Sequence, residues 1–272
     1  MVRRNTKCPR MKLFVISVLL AGANCGLMAT EAKLALRAAL ETHKGSTKAP
    51  PVVAAIEALS ALSPYKAPAR EPALLGAWQQ INSPDFPSSK QTAEGDFQYT
   101  LGKLSFGVFE PKNLMCTLGK VCNPLSEGTE NMLMLIDYEI QVQLNIETED
   151  GLPMPAELIT FAKCARVSDD RVSVAFAGGV LKPVGNCDRE AWRRTFAPSL
   201  AAKPRKRTLL MNWLLQRMMG LVKPNEMTED GAMRYEMTKA PEGYLDILYL
   251  DDDLRITRGN RGSYVVAKRV TE

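Results

Sequence analysis

The chain has 272 residues, 46% hydrophobic and 24% charged, a balance ordinary for a soluble globular protein with room for one domain of about 200 residues plus a leader and insertions. Its formal net charge of +5 comes from residues 1–30, which hold Arg3, Arg4, Lys7, Arg10 and Lys12 and no acid. The remaining 30 of the 35 basic side chains balance 30 acidic ones, which argues against a general electrostatic attraction to nucleic acid.

Residues 1–29 read as a targeting leader. A basic stretch, Met1 to Lys12, precedes an apolar run, Leu13 to Ala23, too short for a comfortable membrane span, and Ala21-Gly22-Ala23 supplies small residues at signal-peptidase spacing. From Thr30 to His43, Leu34, Leu36, Ala38, Ala39 and Leu40 recur among charges ahead of Gly45, which predicts a helix. Pro50 and Pro51 open a second helical stretch carrying Val52, Val53, Ile56, Leu59 and Leu62. A linker spaced by Pro64, Pro68 and Pro72 closes the 30–74 segment and is expected to be extended and exposed.

Strand patterns begin at Gly76-Ala77-Trp78 and continue with 97–109, whose glycines suggest bends. The clearest strand is Tyr138 to Glu147, where Ile140, Val142, Leu144 and Ile146 alternate with polar residues; these four are the candidate lining of a cavity or core. Further strands are expected at 158–167, 171–177, 232–238, 244–250, 254–258 and 263–269, with turns at Asp169-Asp170, Gly178-Gly179 and Gly259-Asn260-Arg261-Gly262. Many short strands with tight turns point to a closed antiparallel sheet over 75–272.

Catalytic and metal chemistry find little support. The one histidine, His43, lies ahead of the strands, so a nucleophile–histidine pair has no local partner. No phosphate-binding glycine motif is present, and Asp251-Asp252-Asp253 stands alone as an acidic cluster. Among Cys8, Cys25, Cys116, Cys122, Cys164 and Cys187 no C-x-x-C pair occurs, so no metal or cofactor is expected. Cys116 and Cys122 read as two buried thiols, with a loop disulfide as the alternative. Ala191 to Asn225 contains eight basic residues and no acid, including Arg205, Lys206 and Arg207. Next to them, 208–222 reads as a helix apolar around most of its circumference. Arg205, Lys206, Arg207, Trp213, Leu214 and Met218 are therefore candidate membrane contacts; packing of the helix on the barrel is the alternative.

The last segment, GYLDILYLDDDLRITRGNRGSYVVAK over 243–268, resembles the C-terminal signature of the plastid lipid-associated protein/fibrillin family. The matching positions are Tyr249, Leu250, Asp251, Asp253, Leu254, Arg255, Ile256, Arg258, Gly259 and Gly262. The order helix, Gly45, helix, proline-rich step and Leu75-Gly76-Ala77-Trp78 follows the same family. The resemblance implies a mainly β protein, a lipocalin-like antiparallel β-barrel preceded by two N-terminal α-helices and carrying a helical insertion at 191–225. It implies a non-catalytic protein that binds or stabilises a lipid or isoprenoid at thylakoid or plastoglobule membranes. The alternative it leaves is an adaptor for a plastid protein partner in prenylquinone synthesis. It also implies residence in the plastid, which a secretory-type leader would reach as in complex plastids. Barrel closure is expected from Trp78 beneath Arg255 or Arg258, with Asp251 and Asp253 holding the guanidinium.

Overall fold

Alternation of apolar and polar side chains sets which face of each strand turns inward, and here it closes a sheet on itself. The computed structural model describes residues 10–84, 89–128, 135–148, 151, 153–201, 217–218, 220–239 and 242–270, with side chains from Gly26 onward. In chain order the elements are α1 (Arg10–Thr42), α2 (Pro50–Ser60), 3-10 turns at Pro68–Arg70 and Pro72–Leu74, β1 (Trp78–Gln80), β2 (Lys90–Gln91) and β3 (Phe97–Thr100). There follow α3 (Leu101–Leu104), β4 (Met115–Cys122), β5 (Leu125–Glu127), β6 (Leu135–Glu147), β7 (Pro153–Arg166) and β8 (Arg171–Pro183). The chain ends with α4 (Arg189–Ala201), β9 (Leu221–Val222), β10 (Met233–Met237), β11 (Glu242–Leu250), β12 (Leu254–Gly259) and β13 (Tyr264–Arg269).

Eight strands close the barrel in the order β4-β1-β13-β12-β11-β8-β7-β6, with β6 returning to β4. Closure removes the edge that an open sheet would leave unpaired. The strand β4 was not apparent from the sequence, yet it supplies the pairing on both sides of the seam, Gln79 opposite Cys122 and Leu118 opposite Leu144. Conversely, 101–109 does not continue as a strand. After Thr100 the chain turns through α3 and a bend at Phe106 and Gly107, both at positive φ, and buries Leu101, Val108 and Phe109. Gly178-Gly179 is no turn either. It lies within β8 where the register against β7 shifts, and Gly179 admits the Tyr235 ring against the sheet.

Inward residues form two clusters stacked along the barrel. One gathers Val142, Leu144, Ile146, Met154, Leu158 and Leu181 with Trp192 and Phe196 of α4. The other gathers Trp78, Ile136, Tyr138, Ala162, Cys164, Val172 and Ile247 with Ala69 and Leu74 of the proline-rich segment. That segment is therefore not an exposed spacer. Its prolines leave few N–H groups to satisfy, and its carbonyls accept from Arg166 at Ala69, from Trp78 at Leu74 and from Arg269 at Ala73 and Leu75.

The two N-terminal helices pack outside. Leu36 and Leu40 of α1 and Val52, Ile56 and Leu59 of α2 cover Tyr249, Leu254, Ile256 and Val266 on the outer face of β11–β13. α1 runs unbroken from Arg10, across the boundary the sequence suggests at residue 29. It stops at Gly45, whose φ of +75° lets its N–H bond the Leu40 carbonyl. No described helix is long and apolar enough to cross a membrane.

Candidate functional site

The two clusters meet at the middle of the barrel. Ile140 of β6 and Phe176 of β8 touch both clusters, yet each remains only partly buried. Phe106, on the bend after α3, brings its ring to 6.3 Å from that of Phe176 and is 49% exposed. These three apolar side chains keep accessible surface where the two clusters meet, which makes the middle of the barrel the candidate ligand site. Of the four residues read as lining, Val142, Leu144 and Ile146 lie buried in the α4-side cluster and Ile140 lies at the waist.

The barrel interior at the Trp78 end holds a charge. On β12, Leu254 and Ile256 point out under the helices, so Arg255 between them points in. It is 3% exposed and lies 5.1 Å from the Trp78 ring centroid. Trp78 is fully buried and donates its Nε1–H to the Leu74 carbonyl at 3.0 Å. Arg269 of β13 stacks on the same ring at 4.2 Å and anchors to the carbonyls of Asp252, Leu75 and Ala73. Burial lowers the Arg255 guanidinium to about 10 and pushes the Tyr138 phenol and the Cys164 thiol, on which its charge acts, up to about 12. All three keep their ordinary protonation near neutrality, cationic for Arg255 and neutral for the other two.

The remaining residues of the motif lie elsewhere. Arg258 does not face Trp78; with Arg171 it pairs with Asp246 on the outer face of the barrel, at 3.1 and 2.6 Å. Asp251 and Asp253 hold no guanidinium within the barrel. Both take Lys33 of α1, and Asp251 also accepts from the Tyr249 hydroxyl at 2.5 Å and the Leu254 N–H at 2.9 Å. Burial draws the Asp251 carboxyl up, and hydrogen bonds from Asp253, Lys33, Tyr249 and Leu254 overcome it and hold it at about 2. The acidic motif is a clip that fastens α1 to the barrel. Sequence reasoning missed Lys33 and Arg269. The second had a signal, since β13 alternation from the buried Ala267 carries residue 269 to the inner face.

Cys116 and Cys122 stand at opposite ends of β4, roughly 20 Å apart along an extended strand, so no disulfide joins them. Among the described residues no group of three or more His, Cys, Asp or Glu gathers that could hold a metal ion. A hollow of about 490 Å³ lies outside the barrel between α1 and β13, lined by Arg37, Glu41, Lys44 and Lys268 among others. Of the candidate membrane contacts, Arg205, Lys206, Arg207, Trp213 and Leu214 fall outside the described residues. Met218 is described and is 65% exposed. The helix expected over 208–222 does not reach its predicted end, because Leu221 and Val222 pair with β10 as β9.

A closed eight-stranded antiparallel barrel with two N-terminal helices packed on its outer face defines a lipocalin-like barrel protein. The PAP_fibrillin family model matches residues 121–268, from the end of β4 to β13, and the chain belongs to that family, the plastid lipid-associated proteins. No curated protein and no solved structure matches the chain.

Proposed function

We propose that this chain is a non-catalytic plastid protein that holds a lipid or isoprenoid in its barrel and works at thylakoid or plastoglobule surfaces. The observation that carries the reading is the incomplete burial of Ile140, Phe176 and Phe106 where the two packed clusters meet, which we read as the mouth of a lumen. An eight-stranded barrel has an interior suited to one small ligand. Prenylquinones, carotenoids and acyl chains are the cargo that family membership favours. Contact with the membrane is supported by the acid-free run 191–225, beside which Met218 and Val222 expose apolar side chains. Residues 1–29 act as the targeting leader.

The test is a titration of the full chain with a decyl-substituted benzoquinone, a neutral probe that quenches tryptophan emission on contact. Saturable one-to-one quenching is expected, with flotation of the protein on vesicles containing anionic lipid. Quenching that rises linearly without saturation would remove the lumen from the account. Flotation that survives deletion of 203–216 would move that segment from membrane contact to the docking of a protein partner.

A further inference from the structure

We propose that Arg255 is a headgroup anchor inside the barrel, and that the lumen takes an amphipathic lipid whose headgroup is an anionic oxygen group, a long-chain carboxylate being the simplest. The proposal rests on the lumen-binding reading above and specifies its ligand class.

Arg255 has an unmet need. Its Nε is buried and without a hydrogen-bond partner, and no ion pair or hydrogen bond engages the guanidinium among the described residues. Buried charges are ordinarily paired, because a lone one forfeits hydration and gains nothing in return. Stacking on Trp78 offers the charge a π face but accepts nothing from the in-plane N–H groups. Arg269 brings a second cation to the same ring, and its own donors are taken by three carbonyls.

The neighbouring acids are committed outside. Asp251 and Asp253 hold Lys33, and Asp246 holds Arg171 and Arg258. Inside, Tyr138 and Cys164 are the groups on which the Arg255 charge acts, and burial keeps both neutral. Among the described residues the counter-charge of Arg255 is therefore missing, at the charged end of a barrel interior whose middle is apolar. A guanidinium fork matches a carboxylate or phosphate oxygen pair. An acyl chain leaving that headgroup would run toward Ile140 and Phe176.

The experiment compares cis-parinaric acid with its methyl ester, both of which fluoresce on entering an apolar site, against the full chain. The acid is expected to bind saturably and about tenfold or more tighter than the ester. Arg255→Met is expected to bring the acid down to the ester's affinity, and Arg255→Lys to keep part of the preference. Circular dichroism melts establish that each variant is folded, and the wild-type comparison of acid with ester needs no variant at all. Equal binding of acid and ester by the wild type would overturn the anchor while leaving a neutral lumen site. Failure of both probes to bind would overturn the lumen reading and the anchor with it. Displacement of the acid by millimolar inorganic phosphate would overturn the lipid assignment in favour of a free-anion site.

Discussion

Replacing Asp251 by Asn tests whether the acidic motif works as an electrostatic clip. The carboxylate meets Lys33 Nζ, the Tyr249 hydroxyl and the N–H groups of Asp253 and Leu254, and both partners of the ion pair have side chains 18% exposed. Asparagine keeps one carbonyl for the backbone donors, but its amide turns donors toward Lys33 or Tyr249. The folded-state carboxyl lies at about 2, against an ordinary aspartate value of 3.8. That difference corresponds to roughly 2.4 kcal/mol at neutral pH as a ceiling, and about 2 kcal/mol after allowance for partial solvent screening. Because the folded-state pKa lies below the unfolded one, the stabilisation is complete above about pH 5 and is lost as pH falls through 2. At pH 3 roughly half of it should remain. Urea denaturation of wild type and Asp251→Asn, followed by far-ultraviolet circular dichroism at pH 7 and pH 3, reads the difference directly. A gap of about 2 kcal/mol that shrinks to about 1 on acidification is expected. A gap that holds its size between the two pH values would refute the reasoning and leave Asp251 a packing residue only.

Three further outcomes follow from the geometry. Gly179→Ala puts a Cβ 2.4 Å from the Ile159 carbonyl oxygen and 2.7 Å from the Tyr235 ring, so a loss of about 3 kcal/mol or an insoluble product is expected; a thermal melt equal to wild type would count against the register described for β7 and β8. Trp78→Phe leaves the Leu74 carbonyl without its donor and shrinks the ring shared by two guanidiniums, at a cost of about 2–3 kcal/mol in a urea melt followed by circular dichroism. Burial pushes the thiols of Cys116 and Cys164 up to about 12, so peptide mapping after brief treatment with a thiol reagent at pH 8 should find both unlabelled in the native protein and labelled in urea.

Much of this architecture is legible in the sequence because local alternation decides it. The run Ile140, Val142, Leu144, Ile146 fixes the inner face of β6, and Leu254, Arg255, Ile256 fixes that of β12. β4 escaped notice because Gly119-Lys120 interrupts its alternation at the place where its register against β6 shifts. The partners of the acidic motif were beyond reach for another reason. Asp253 and Lys33 are 220 residues apart, and nothing local to Asp251 distinguishes a lysine on a distant helix from an arginine four positions on. Composition suggested a solvated linker at 63–74, whereas the fold spends its small residues, Ala69 among them, on plugging one end of the barrel. The site itself was half visible. Arg255 stood out in the motif, but its isolation inside the barrel depends on where every nearby acid goes, and only the assembled structure determines that.

The seam between β1 and β13 joins Trp78 to Arg269, so the first and last strands of the barrel must find each other across nearly the whole domain. Such a pairing is among the most non-local a chain of this size can make, and topologies of this kind fold slowly. While the chain is being synthesised from its N-terminus, Trp78 lacks its strand partner until the final residues have emerged, and α1 and α2 lack the outer face of β11–β13 that they cover. Loss of only the last few residues would therefore undo the seam, and loss of all of β13 would also take Val266 from the seat of the helices. A protein built to close last stays unfolded longest, the state in which a polypeptide is most readily threaded through a membrane.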